Sequence, residues 1–203
     1  MQPFLKLLLI AGVAGILYVA SFTLVNANTP SSVSPSTTSA VDSAYSVLKL
    51  LLEDEQHLTA IRRTKMIITF TSINDTSSKL IDGISDSSEQ LLNELEILSE
   101  ANPDINFSSF SDDTIAATTL DSLRLATAKE FLFDSDNFEK NLLLSQLRIL
   151  PVIIHLAEQL EKKETNTDRK QWLSKLANQY KKHYQLVNSR ISLSEIEADI
   201  EES

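Results

Sequence analysis

The sequence has no cysteine, three glycines and three histidines in 203 residues. Without cysteine there is no disulfide, no thiolate metal cage, no cysteine nucleophile and no iron–sulfur cluster. Three glycines argue against phosphate-cradling loops and a sheet built from tight hairpins. Positive charge is also short: 18 basic against 28 acidic side chains leave a net charge of −10. A polyanionic backbone repels such a chain, so nucleic acid is not an expected partner. No Gly-x-Ser-x-Gly elbow, His-Glu-x-x-His pair or EF-hand loop occurs, and none of the many serines has an activating sequence context. The expectation is a non-enzymatic protein without a cofactor. At this length one domain with a sizeable core is natural.

What the chain does have is an address. Leu7–Val25 is an uncharged apolar stretch of 19 residues, preceded by a short segment carrying Lys6. As a helix it spans about 28 Å, close to the hydrocarbon thickness of a bilayer. Val25-Asn26-Ala27 also fits a signal-peptidase site with a cut after Ala27. Residues 1–27 are therefore a signal peptide or a transmembrane anchor, and either one exports the rest. The expected location is periplasmic or otherwise extracytoplasmic, at the inner membrane if residues 7–25 are retained. In Asn28–Ala40 ten of thirteen residues are Ser, Thr or Pro. Such a run buries too little apolar surface to offset its ordering entropy, and it reads as a disordered linker.

From Val41 apolar residues recur at spacings of three and four. Ala44, Val47, Leu48, Leu51, Leu52, Leu58, Ile61 and Ile68 form a first stripe, with Glu53, Asp54, Glu55, Arg62 and Lys65 assigned to the solvent side. Asn74-Asp75 breaks the run. A second stripe follows in Leu80, Ile84, Leu91, Leu95 and Leu98, stopped by Asn102-Pro103. Phe107 and Phe110 are placed to pin the next connection, and a shorter helical segment is expected over 115–133. Asp136 and Glu139 form a capping box for a third long helix through Leu143, Leu147, Leu150, Ile154, Ala157 and Leu160, bent at Pro151. Thr165-Asn166-Thr167-Asp168 repeats the capping pattern before a last helix through Leu173, Leu176, Tyr180, Tyr184, Val187 and Ile191. The expected fold is all-α: an antiparallel four-helix bundle over 41–192 with ferritin-like up-down topology, an N-terminal apolar helix, and an acidic tail at 193–203.

Three features bear on function. Lys162–Arg190 holds eight bases against two acids, and Lys175, Lys181 and Lys182 make a candidate interaction face. Its partners would be an envelope protein, anionic lipid or a cell-wall polymer; the competing reading is a solvated face answering its own acidic neighbours. Trp172 and Tyr180 beside those lysines read first as core packing. Metal candidates are Asp54 with His57, His155 with Glu158, and His183, the first two pairs at one-turn spacing. No Glu-x-x-His occurs, so the ligand set of a bundle dimetal centre is missing and no metal is expected.

The run His57–Ile73, the break at Asn74, Leu91-Leu92-Asn93-Glu94-Leu95 before Ala101-Asn102-Pro103, Phe138-Glu139-Lys140, the polar break Thr165–Asp168 and Lys182-His183 follow one another in a telling order. Over residues 53–191 the chain resembles a family of exported bacterial ferritin-like four-helix domains of unknown function, often described as outer-membrane proteins. The resemblance implies a four-helix fold and export. Members commonly carry Asp-Asp-His late in the second helix, where this chain has Asp86-Ser87-Ser88. They carry Lys-Asp-His in the third, where it has Arg148-Ile149-Leu150. Only His183 fits the family's last histidine, which lowers the case for a metal-storage role.

Overall fold

The computed structural model describes residues 37–70, 72–109, 118, 119, 122 and 138–201, and it is helical with no strand among them. The expectations for residues 1–36, for Phe110 and Asp136, and for most of 115–133 lie outside the described residues. Five helices are seen: α1 Thr37–Gln56, α2 Leu58–Thr69, α3 Asp75–Ser99, α4 Phe138–Lys163 and α5 Thr167–Glu201, with a 3-10 turn at Phe107–Ser109. All of them belong to one unit, Pro35–Ser203.

The first stripe becomes two helices because the backbone tightens at His57, whose N–H bonds to Asp54 O three residues back at 3.1 Å. Helix α1 starts at Thr37, four residues ahead of the expected boundary, and α5 runs on through the acidic tail to Glu201. Helix α3 is capped by Asn74, whose side chain accepts from Thr76 N at 2.8 Å. The Glu139 carboxylate accepts from Asn74 N at 2.8 Å and Ser77 Oγ at 2.6 Å on α3. Within the run Thr165–Asp168 it is Asn166 that caps α5, accepting from Asp168 N at 3.0 Å and Arg169 N at 3.1 Å. Helix α4 continues through Pro151. By length and composition it could cross a membrane, but Leu142, Leu150, Ile153 and Ala157 are fully buried in the core.

The core is built from the expected stripes. Leu48, Leu52, Ile84, Leu91, Leu150, Ala157, Leu173, Leu176 and Val187 are all at 0% exposure, and Trp172 is packed with them. Helix α2 is the exception. It is rotated so that Leu58, Arg62 and Lys65 point inward, while Ile67 and Ile68 are 65% and 46% exposed. Partners on other helices make this rotation possible. Arg62 Nη2 grips Asp82 at 2.7 and 3.0 Å, with Thr59 Oγ1 donating to the same carboxylate at 2.7 Å. The Lys65 ammonium sits 5.6 Å from the Phe138 ring centroid. The helix ends on Phe70, 94% exposed and in the left-handed region at φ 56°.

Candidate functional site

Two polar clusters lie inside the bundle. The first occupies one end, where α4 turns into α5. Glu164 and Arg169 are both buried and pair doubly, Nε–Oε2 at 2.8 Å and Nη2–Oε1 at 3.1 Å. Tyr45 of α1 donates to Glu164 Oε2 at 2.6 Å, and the Thr165 and Asn166 amides donate to Oε1 at 2.8 Å each. The remaining Arg169 nitrogen donates to Ala101 O at 2.9 Å and Pro103 O at 2.6 Å, beyond a cis Asn102–Pro103 bond. Burial works to raise the Glu164 pKa, but the bonds from Arg169, Tyr45 and Asn166 prevail and hold it at about 2. The cluster is fully engaged and fastens the α4–α5 turn to α1 and to the connection after α3. Beside it, Ser99, Glu100, Asn102, Asp104 and Ile105 line a polar surface depression.

The second cluster sits mid-bundle. Glu55 of α1 is 3% exposed and has no basic partner among the described residues; burial, then the charge of Asp54, pushes its pKa up to about 8, against a hydrogen bond from Gln146 on α4. Glu55 is therefore a neutral acid near pH 7. Its Oε2 and the Gln146 Oε1 are buried without hydrogen-bond partners among the described residues. Protonation gives Glu55 the donor that this pair of acceptors lacks. The Tyr180 hydroxyl of α5 meets Ser88 Oγ of α3 at 2.7 Å. One turn away, Ser87 Oγ lies 2.9 Å from His183 Nε2, 2.7 Å from Gly83 O, and accepts from Gln179 Nε2 at 2.8 Å. Burial lowers the His183 pKa, and its Nδ1 is buried without a partner among the described residues.

A serine beside a neutral histidine has the first half of a nucleophile–base pair. A working pair also needs the base oriented through its second nitrogen and donors for an oxyanion. Among the described residues Nδ1 has no orienting group, and the single Ser87 proton is shared between His183 and the helix's own carbonyl, a common serine back-bond. The contact joins α3 to α5.

The candidates from the sequence are scattered. His57 is exposed at the α1–α2 break, and Asp54 is half-buried one turn before it. His155 Nδ1 and Glu158 Oε2 are 3.5 Å apart at the surface, but Glu158 also holds Lys181 at 2.7 Å. His183 belongs to the mid-bundle cluster. Among the described residues no three His, Asp or Glu side chains come together as a metal site would require. In the lysine strip, Lys175 is bound to Glu94 at 2.6 Å and Lys181 to Glu158, and Lys182 is exposed with no ion pair among the described residues. Two of the three lysines thus answer acids on neighbouring helices.

The assignment of Glu55, with Arg62 and Lys65, to the solvent side is corrected: all three are buried, and Glu55 puts a carboxyl on an interior stripe. Its register carries the signal. At 3.6 residues per turn Glu55 shares a sector with Leu48 and Leu52, as Ser88 does with Ile84, Leu91 and Leu95, and Gln146 with Leu142, Leu150 and Ile153. No protein-family model, curated protein or solved structure matches the chain.

Proposed function

We propose that the chain is an exported, non-enzymatic helical bundle that binds or scaffolds another component of the cell envelope. It is periplasmic, or held at the inner membrane if residues 7–25 remain. Which ends meet supports a ferritin-like order with one long crossover, in which α1 and α3 are antiparallel, α3 and α4 run the same way, and α4 and α5 are antiparallel, rather than a simple up-down succession. Ser77 near the start of α3 lies with Glu139 at the start of α4 and Arg190 late in α5, whereas Tyr45 meets the α4–α5 turn.

The observation that carries the binding role is the apolar patch on α2. Ile67, Ile68 and Phe70 stand out of a helix whose Arg62 and Lys65 are inside. Exposed apolar clusters on soluble domains mark interaction sites, and Phe70 is held outward at a positive φ that costs a non-glycine residue about 1 kcal/mol or more. This patch favours an envelope protein over a polyanionic polymer. Capture from envelope extract tests the proposal with Ile67→Ser/Phe70→Ser and with charge reversal of Lys175, Lys181 and Lys182. The patch variant is expected to lose a partner that the lysine variant keeps. Equal capture by both variants and the native chain overturns it. Stoichiometric iron, manganese or zinc in native protein, lost on changing Asp54 or His57, would instead establish a ferritin-like metal-storage role.

A further inference from the structure

Helix α2 is seated by a guanidinium whose hydrogen bonding is incomplete. Arg62 is 7% exposed, and its Nη2 donates to both oxygens of Asp82 at 2.7 and 3.0 Å. The other two nitrogens are less well served. Nε is buried with no partner among the described residues, and Nη1 donates to the sulfur of Met66 at 3.6 Å. A thioether is a weak acceptor and does little to offset the desolvation of a cationic N–H group. A stronger acceptor at the Met66 sulfur would complete the site.

Oxidation supplies that acceptor in place. The chain has no cysteine and only two methionines, Met1 and Met66, so Met66 carries the one sulfur between residues 37 and 203. Its side chain is half-buried, which leaves it within reach of a small oxidant. A hydroperoxide converts a thioether to a sulfoxide by transfer of one oxygen atom. The sulfur lone pair attacks the terminal oxygen, the S–O bond forms as the O–O bond breaks, and the sulfur is oxidised by two electrons. The departing oxygen takes up the remaining peroxide proton and leaves as water or an alcohol. The new oxygen is a strong acceptor, bonded to the atom that already faces Nη1. Met66 stands one turn after Arg62, so the two side chains meet along one helix face.

We propose that Met66 is a site of reversible oxidation by hydroperoxides, at which Arg62 Nη1 takes the sulfoxide oxygen and α2 is held more firmly against α3. Methionine oxidation ordinarily disrupts packing, because a polar group enters apolar surroundings. Here a buried donor awaits it, and the sign is reversed. The brace reinforces the existing ties of α2, which are Arg62 and Thr59 to Asp82 and Lys65 over the Phe138 ring. It does not depend on a partner at the Ile67–Phe70 patch.

The full-length protein in detergent micelles, treated with hydrogen peroxide, tests this by peptide mass and amide hydrogen exchange. Met66 is expected to gain one oxygen while the helical spectrum is kept. Amides of α2 should then exchange about three-fold or more slowly than in the untreated protein, with those late in α3 unchanged. Met66→Leu should show no response, which separates Met66 from Met1. Arg62→Lys keeps a charge opposite Asp82 but lacks the second nitrogen, and should be oxidised without slowing. Met66→Gln places a permanent carboxamide oxygen there and should slow exchange with no peroxide added. Met66 left intact while free methionine in the same solution is consumed overturns the proposal. So does exchange in α2 that is unchanged or faster in the sulfoxide form, or slowing that persists in Arg62→Lys.

Discussion

Glu55 makes stability depend on pH in an unusual direction. The carboxyl ordinarily titrates at 4.5 and is pushed up to about 8 in the folded chain, first by burial and then by Asp54. Below pH 4.5 both folded and unfolded chains hold the proton, and the group contributes no penalty. Between pH 4.5 and about 8 the unfolded chain releases it while the folded chain keeps it, so stability falls as pH rises. At pH 7 the penalty is about 3 kcal/mol, from the gap between 4.5 and 7 at about 1.4 kcal/mol per pH unit. It levels off near 5 kcal/mol above pH 8. Glu55→Gln removes the titration and keeps the shape. Urea unfolding of the chain from Pro35 onward, at intervals from pH 4.5 to 9, should show the native protein weakening across this window and the variant nearly flat. The two should agree to about 1 kcal/mol at pH 4.5 and separate by about 3 at pH 7, with equal denaturant slopes. If native stability is level from pH 5 to 8 and the variant gains nothing at pH 7, Glu55 is not a buried neutral acid.

Glu164 predicts the opposite limb: its pKa is held at about 2 against 4.5, so its contribution is present above pH 4.5 and is lost as pH falls toward 2. The two limbs together place maximal stability near pH 4.5 in the same titration of unfolding midpoints. Arg169→Met strands the buried Glu164 charge and should cost about 3 to 5 kcal/mol, with part recovered in the double variant carrying Glu164→Gln, as a double-mutant cycle would measure. Asn74→Ala removes the α3 cap and should cost about 1 kcal/mol in urea unfolding. Phe70→Gly relieves the positive φ without touching the core and should gain about 1 kcal/mol while abolishing capture of a partner at the α2 patch; a loss of stability there would refute the strained-cap reading.

What was legible in the sequence is the part that hydrophobic spacing controls. Spacings of three and four located the helices because burying one apolar stripe is the main requirement each of them meets. Asn74 and Asn102-Pro103 punctuated them because amide capping and the exclusion of the helical region before proline act locally. The misplaced α2 face has a non-local cause. Leu58 and Ile61 serve equally well as one edge of a stripe through Ile68 or of one through Arg62 and Lys65. The second wins only because Asp82 lies 2.7 Å from Arg62 and the Phe138 ring beneath Lys65, and both belong to other helices. Glu139 also has partners that no local pattern announces: the amide of Asn74 and the hydroxyl of Ser77 donate to it across the bundle.

The interior polar residues follow from register once the helices are placed, yet their partners do not. Nothing in the local sequence distinguishes Glu55 from Glu53, except that Glu55 sits one turn beyond Leu51 and Leu52 on the buried side. Nothing local relates Ser88 to Tyr180, 92 residues away. A polar group on a core stripe is costly when alone and tolerable when a facing helix supplies its hydrogen bond. Such residues therefore act in pairs that single-helix periodicity cannot see. Ser88 with Tyr180, Ser87 with His183 and Glu55 with Gln146 each join two different helices. An apolar stripe tolerates rotation of the helix bearing it, because leucine meets leucine over a range of angles. These contacts do not, so they fix the facing registers of α1, α3, α4 and α5. With those registers fixed, the solvent side of each helix is fixed as well, including exposed Leu186 and Leu193 on α5.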